Sequence, residues 1–469
     1  MSLAHLRMGG KRYPDARLVP LPVFAVVLLV VRSFGLASDR AADQAPIFPL
    51  QVSADGRHLA ERSGRPFLVV GDTAWSLVAQ LGEDDVARYL DDRSRRGFTA
   101  IIVNLIEHKF ATNAPANRRG LRPFRSPGGF AHPEAAYFDA AHSAIEEAGR
   151  RGIAVWLCPA YLGWKGGDEG FFKEIVQAGP DALRQYGGFV GARFKDLHNV
   201  VWMLGGDYAL PPAERWVADE LAAGLADGGA KQIMTAHGGQ TTGVTTYGQR
   251  PWLAVETVYS YKPDLRPELL AAYGARPIRP FVLIESTYEG EHDAAPAQIR
   301  RQAWTAMLSG AAGQFFGNNP IWHFDGPTLF PFSGDWRQAL ASVGSQDMAR
   351  LATFFRARAW HTLAPRPGMA IVSSDLAGEP AVAAAAAPDG SLFLYVAADG
   401  SSRSRQMTLR LPSLPPSVRW FNPARDEPER TVVVTETGGG RVTLQTPGDN
   451  GTGANDWVLT HTVKAPGGG

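Results

Sequence analysis

Two acids in this chain stand where a buried strand ends. In Asn199-Val200-Val201-Trp202-Met203-Leu204-Gly205-Gly206-Asp207-Tyr208 an apolar run stops at two glycines and then presents a carboxylate. Phe281-Val282-Leu283-Ile284-Glu285 ends the same way and continues into Ser286-Thr287-Tyr288-Glu289. Short apolar runs bounded by turn residues read as strands covered on both faces, the condition of strands in a parallel sheet. The carboxyl ends of such strands are where barrels and open α/β sheets place ligands. An acid that gives up a proton, opposite a carboxylate that attacks or stabilises a cation, is what glycosidic hydrolysis requires. A separation of about 5 Å allows a covalent intermediate, whereas a wider gap leaves room for a water. Taken singly, Asp207 could equally cap a helix or sit in a surface turn, and Glu285 could form a buried ion pair. Burying both acids for structure alone would be costly.

The other strand ends carry groups suited to a polyol. Asp72, Asn104, His108, His237, Tyr259 and Asn318 can donate to or accept from sugar hydroxyls, and Trp75, Tyr161, Trp164, Tyr208, Tyr288 and Trp322 can stack on a ring face. Each aromatic has core packing as its plainer reading, and Asp72 could instead cap the turn that follows it. Metal-dependent hydrolysis on a barrel would call for paired histidines at the first strand end, where Gly71-Asp72-Thr73-Ala74-Trp75 stands instead. No metal and no cofactor is expected. Cys158 is the single cysteine and lies on an apolar strand ahead of Pro159, the setting of an inert core thiol.

These residues need elements to hold them. Apolar runs recur at Phe67 to Val70, Ala100 to Leu105, Ile153 to Pro159, Val200 to Leu204, Gln232 to Ala236, Leu253 to Tyr261, Phe281 to Glu285 and Gly313 to Gly317. Between them lie helical patterns over Asp84 to Arg96, Pro133 to Arg151, Pro180 to Asp196, Pro212 to Ala226, Pro267 to Tyr273 and Pro296 to Ser309, with a last helix over Asp335 to Trp360. This alternation predicts an α/β fold, a (β/α)8 TIM barrel over residues 66–363. An open doubly wound sheet is the competing arrangement, but no Gly-rich dinucleotide turn follows the first strand. A long polar loop, Ala114 to Gly129, suits a lid or pocket wall. From residue 364 to 463 short apolar runs alternate with Pro, Gly and Asp turns, which predicts a small antiparallel β-sandwich. Residues 464–469 read as a disordered tail. Ahead of the barrel, residues 38–65 read as a linker and a β-hairpin turning at Asp55-Gly56.

The first 37 residues read as a signal peptide or membrane anchor. Arg7, Lys11, Arg12 and Arg17 precede an apolar stretch from Leu18 to Val31, too short for an ordinary membrane span, and Gly35-Leu36-Ala37 supplies small residues for cleavage. A secreted or periplasmic protein follows, anchored to a membrane only if this segment is uncleaved. The 47 basic and 46 acidic residues nearly cancel and form no blocks, so nothing favours nucleic acid as a partner. The expected partner is an oligo- or polysaccharide.

Gly71-Asp72-Thr73-Ala74-Trp75, Val201 to Asp207, and Glu285 with Tyr288-Glu289 together resemble the apiosidase-like glycoside hydrolases. Trp420-Phe421-Asn422-Pro423 and Asp456-Trp457-Val458-Leu459 are similar to the C-terminal β domain, of collagen-binding type by name, that many members carry. The resemblance spans roughly Leu50 to His461 and implies a barrel in which Asp207 is the acid/base and Glu285 the nucleophile. Many related barrels end the fourth strand with Asn-Glu where this chain has Gly206-Asp207. A non-catalytic carbohydrate-binding barrel is the alternative from another functional class.

Overall fold

The computed structural model describes residues 47–125, 129–366, 371–374, 382–410, 417–434, 438 and 440–462. The basic and apolar leader and the tail lie outside these residues. The expected hairpin is a three-stranded antiparallel sheet, in which Leu59–Ala60 pairs with both Gln51–Val52 and Pro66–Phe67. That pairing takes Phe67 away from the first barrel strand, which starts later than its apolar run suggests and continues into Asp72 and Thr73.

The barrel strands are β1 (Val69–Thr73), β2 (Ala100–Asn104), β3 (Ala154–Cys158), β4 (Val200–Gly205), β5 (Met234–His237), β6 (Glu256–Tyr259), β7 (Phe281–Glu285) and β8 (Gly313–Phe316). The helices after them are α1 (Glu83–Arg95), α2 (Ala135–Arg150), α3 (Phe172–Phe194), α4 (Trp216–Asp227), α5 (Gly243–Tyr247), α6 (Arg266–Gly274), α7 (Pro296–Leu308) and α8 (Val343–Arg356). The parallel ladders run β5-β4-β3-β2-β1-β8-β7-β6, a ring open only between β5 and β6. Three bonds close that seam. The Ala254 N–H donates to the Met234 carbonyl (3.0 Å), and the Thr235 and Thr257 hydroxyls donate to the Val255 and Ala236 carbonyls (2.8 and 2.7 Å). The fold is thus a (β/α)8 barrel. Trp156 of β3 and Phe315 of β8 meet edge to face at 4.9 Å within a core cluster that also holds Val69, Ile102, Val201 and Met203.

Two helices depart from their sequence pattern. α3 starts at Phe172 and kinks at Gly179, and Pro180 is tolerated there because its missing N–H falls in the first turn of the following segment. The last expected helix is two helices. Asp335 accepts from the Arg337 and Gln338 N–H groups to start Trp336–Ala339, and Ser342 accepts from the Ser345 N–H at 3.2 Å to start α8.

Beyond the barrel, six antiparallel strands form one sheet (Ala364–Pro365, Val382–Ala386, Leu392–Val396, Ser417–Phe421, Arg430–Val433, Trp457–His461) and three form another (Ile371–Ser374, Gln406–Arg410, Arg441–Gln445). Val382–Ala386 escapes an apolar-run reading because alanine has little β-propensity. The strand Leu392–Val396 is buried on both faces. Leu392, Leu394 and Val396 join Met407, Leu409, Val442 and Leu444 between the two sheets, while Phe393 and Tyr395 join Trp304, Phe354 and Phe355 of α7 and α8. Beside this apolar contact Arg300 of α7, itself 1% exposed, donates to Asp456 at 2.7 and 2.8 Å and to Asp347 at 3.0 Å. The Tyr395 hydroxyl also donates to Asp456 (3.1 Å).

Removing one partner of a buried ion pair leaves its charge uncompensated, at a cost of about 3–5 kcal/mol. Asp456→Ala should therefore lower the denaturation midpoint markedly in a urea titration, whereas an unchanged midpoint would show that this pair does not hold the β domain to the barrel.

Candidate active site

At the carboxyl end of β4 the backbone turns through Gly205 and Gly206, with φ of +97° and +133°. A Cβ on Gly205 would lie 1.8 Å from the Tyr247 hydroxyl, and one on Gly206 would lie 2.3 Å from the Tyr161 ring. Only glycine fits both the conformation and the space. The Gly206 N–H donates to the His237 carbonyl at 2.7 Å, which fixes the turn to the next strand and sets the direction of Asp207.

Three strand ends converge on one another. Asp207 accepts the Tyr161 hydroxyl at 2.7 Å through Oδ2. Glu285, the last residue of β7, accepts the Tyr261 hydroxyl through Oε1 and lies against His237 Nε2 through Oε2, both at 2.7 Å. His237 ends β5, is wholly buried, and places its Nδ1 4.0 Å from Asp207 Oδ1. One oxygen from each acid and one nitrogen of His237 lie within 4.8 Å of one another. The imidazole is hydrogen-bonded to Glu285 and faces Asp207 without bonding it, since neither His237 Nδ1 nor Asp207 Oδ1 has a hydrogen-bond partner among the described residues.

This crowding moves the proton affinities. Burial and the negative charge of Glu285 push the Asp207 carboxyl up to about 6, against the opposing pull of His237 and of the Tyr161 and Tyr259 hydroxyls. Burial alone would lower His237, but its hydrogen bond to Glu285 and the charges of Glu285 and Asp207 outweigh that and raise it. An Asp207 that holds its proton into mildly acidic solution, beside a hydrogen-bonded Glu285, is a donor paired with a base.

The acids open into a cleft of about 360 Å³. Of the sequence-derived candidates, Trp75, Asn104, Tyr161, Trp164, Tyr259, Tyr288 and Trp322 line it. Trp75 Nε1 donates to the Tyr288 hydroxyl at 3.0 Å, which locks one wall, and Trp164 stands at the rim, 43% exposed. The remaining candidates are placed elsewhere. Asp72 is fully buried beneath the cleft, where it accepts the Tyr89 hydroxyl (2.8 Å) and lies 3.4 Å from the Arg93 guanidinium. It supports β1 and is not positioned to reach a ligand. Asn318 donates to Glu289 at 2.8 Å, Tyr208 donates to Glu214 at 2.7 Å, and His108 pairs with Glu174 at 2.9 Å, all outside the lining. His237 acts on the cleft only through the acids it touches.

Several lining residues escape the sequence reading: Tyr261, Glu291, Phe110, Gln240 and Phe330. Tyr261 carries a signal in hindsight, since it alternates with Tyr259 along one extended segment. Glu291 and Phe330 lie in loops, where no periodicity points inward.

A (β/α)8 barrel whose fourth and seventh strands end in facing carboxylates, in a cleft walled by aromatic rings, has the architecture of a glycoside hydrolase. The family profile described as apiosidase-like, catalytic domain, matches residues 53–362, and the chain belongs to that family of glycoside hydrolases. Among solved structures it is similar to a glycoside hydrolase at 22% identity and a TM-score of 0.74, over 89% of this chain and 98% of the other. A glycoside hydrolase family 5 protein from Bacteroides vulgatus matches at 21% identity and a TM-score of 0.74, over 89% and 95% of the two chains. A further glycoside hydrolase structure from the same organism matches at 17% and 0.64, over 89% and 83%. No match is found among curated proteins.

Because the folded protein holds the Asp207 proton up to about 6, against an ordinary 3.8, the folded state loses stability relative to the unfolded chain as pH rises from about 4 through 6. Asp207→Asn removes that penalty. The variant should be more stable than the parent by about 1–3 kcal/mol at pH 8 and equal to it near pH 3, as followed by denaturant titration. A variant less stable at pH 8 would contradict the strained, proton-holding environment.

Proposed function

We propose that the barrel hydrolyses a glycosidic bond with retention of anomeric configuration, releasing an uncharged sugar from a complex polysaccharide. Asp207 protonates the leaving oxygen while Glu285 attacks the anomeric carbon. Asp207 then takes a proton from the water that releases the sugar from Glu285. The observation that carries this reading is that one oxygen of each carboxylate lies no more than 4.8 Å from the other, close to the roughly 5–5.5 Å spacing that suits a covalent intermediate and short of the wider gap that leaves room for a water. The charges support the role switch. Burial raises Asp207 at every stage, but once Glu285 is esterified its negative charge is gone, its share of the rise disappears, and the acid gives up its proton more readily at the step that needs a base. His237 and Tyr261 each hold one Glu285 oxygen and so present the carboxylate in a fixed orientation.

The substrate class follows from the lining. Glu169, Asp207, Glu285 and Glu291 face the cleft, and neither lysine nor arginine is among the described lining residues. A sugar carboxylate or sulfate would meet several carboxyl groups and no lysine or arginine there, whereas a neutral ring can stack on Trp75, Tyr161 or Trp322. Export belongs to the same reading, motivated by the basic and apolar leader.

The test is a screen of pectic and bacterial polysaccharides and 4-nitrophenyl glycosides, with Glu285→Gln alongside. The parent should release one neutral sugar, first seen by proton NMR as the anomer present in the substrate. kcat/KM should fall as pH rises past about 6, where Asp207 loses its proton. Glu285→Gln should lose at least about 10³-fold in kcat. Release of the opposite anomer would exclude the double displacement, and binding of a glycan without turnover by the parent would mark the barrel as a carbohydrate-binding protein.

A further inference from the structure

The cleft holds a buried acid that the double displacement does not use. Glu291 lies in the loop after β7, two residues beyond Glu289, and the two acids are held apart by the backbone between them. Glu289 is committed to structure. It accepts the Gly344 N–H and the Asn318 amide at 2.8 Å each, and its own N–H donates to the Gly317 carbonyl. Gly290, at φ +84° and with the Asn319 carbonyl 2.7 Å from where a Cβ would be, lets the chain turn so that Glu291 lines the cleft. There one oxygen accepts the Trp322 indole N–H at 2.9 Å. The other makes no hydrogen bond among the described residues. The Glu291 N–H donates to Tyr288 and its carbonyl accepts from Ala294, so the carboxyl is held by a fixed loop on one side and an indole on the other.

We propose that Glu291 is a specificity residue that binds a ring hydroxyl of the uncharged sugar whose anomeric carbon faces Glu285, acting as a neutral carboxyl that both donates and accepts. This rests on the hydrolase reading above. A free carboxyl oxygen in the cleft, on a side chain fixed at its other oxygen by the Trp322 indole, leaves an unpaired polar group that a hydroxyl would satisfy. Burial and the nearby Glu285 charge push Glu291 up to about 7, so it carries its proton at the pH where Asp207 does. The groups around it are Glu285 on β7, His292 beside it, and Trp322 with His323 behind. His323 is held down to about 4, mainly by burial, and stays uncharged over the working range. Ionisation of Glu291 would remove its donor and add a second negative charge beside Glu285.

The experiment compares the parent, Glu291→Gln and Glu291→Ala on the 4-nitrophenyl glycoside that the parent turns over fastest, from pH 4.5 to 8.5. Glu291→Gln keeps a donor and an acceptor, so its KM below pH 6 should stay within about threefold of the parent. Its KM should also remain flat above pH 7, where the parent's KM rises. Glu291→Ala should raise KM at least about tenfold with kcat changed less than threefold. An Ala variant with parental KM, or a Gln variant that keeps the parent's rise in KM, would overturn the proposal. A glutamine variant with parental melting temperature separates loss of recognition from loss of fold. If the parent hydrolyses nothing, the hydrolase reading falls and this assignment falls with it; if the parent is active and the Ala variant is unaffected, only the assignment of Glu291 falls.

Discussion

Two carboxylates with oxygens less than 5 Å apart at the floor of a cleft cannot both carry full charge cheaply, and this constraint organises the centre of the molecule. The protein meets it by placing a buried imidazole between them and by giving each acid a tyrosine hydroxyl. The residual repulsion stays on Asp207, the acid that is the more useful one to keep protonated. Everything nearby serves to hold these three side chains against one another. β4, β5 and β7 deliver one each, and they can do so only because the barrel closes and fixes the spacing of its strand ends.

That closure has its own requirements. The seam between β5 and β6 is bridged by threonine hydroxyls in place of a full ladder, close to the strand end that delivers His237. The turn that presents Asp207 takes two glycines in conformations that other residues rarely adopt, packed against Tyr247 and Tyr161. The β-sandwich contributes from outside, where its six-stranded sheet covers α7 and α8 and ties Arg300 to Asp456.

The sequence carries the barrel and its two acids clearly because the same local pattern encodes both. A continuous apolar run marks each buried strand, and the first polar residue after it marks the strand's carboxyl end. The pattern misleads where the strand outlasts its apolar run. Asp72 follows Val69-Val70-Gly71 and looks like a strand end, yet it lies within β1 and is engaged by the Arg93 guanidinium and the Tyr89 hydroxyl of α1, partners that no local motif announces. Glu291 is invisible for the opposite reason. It reaches the cleft through loop conformation, and inward direction in a loop is set by tertiary contacts such as the Trp322 indole, not by periodicity. The strand Val382–Ala386 is silent because alanine has little β-propensity, and Ala383 and Ala385 are buried by the barrel helices that the strand covers.

The most direct test of the central claim is covalent trapping. The purified protein would be incubated with a panel of 2-deoxy-2-fluoro glycosyl fluorides, digested, and mapped by tandem mass spectrometry. A fluorosugar adduct on Glu285, absent when Asp207 is intact but Glu285 is replaced by glutamine, is the predicted result. An adduct on Asp207 or Glu291 would contradict the division of roles between the two facing acids, as would rapid hydrolysis of a substrate with no trapped intermediate from its fluorinated analogue.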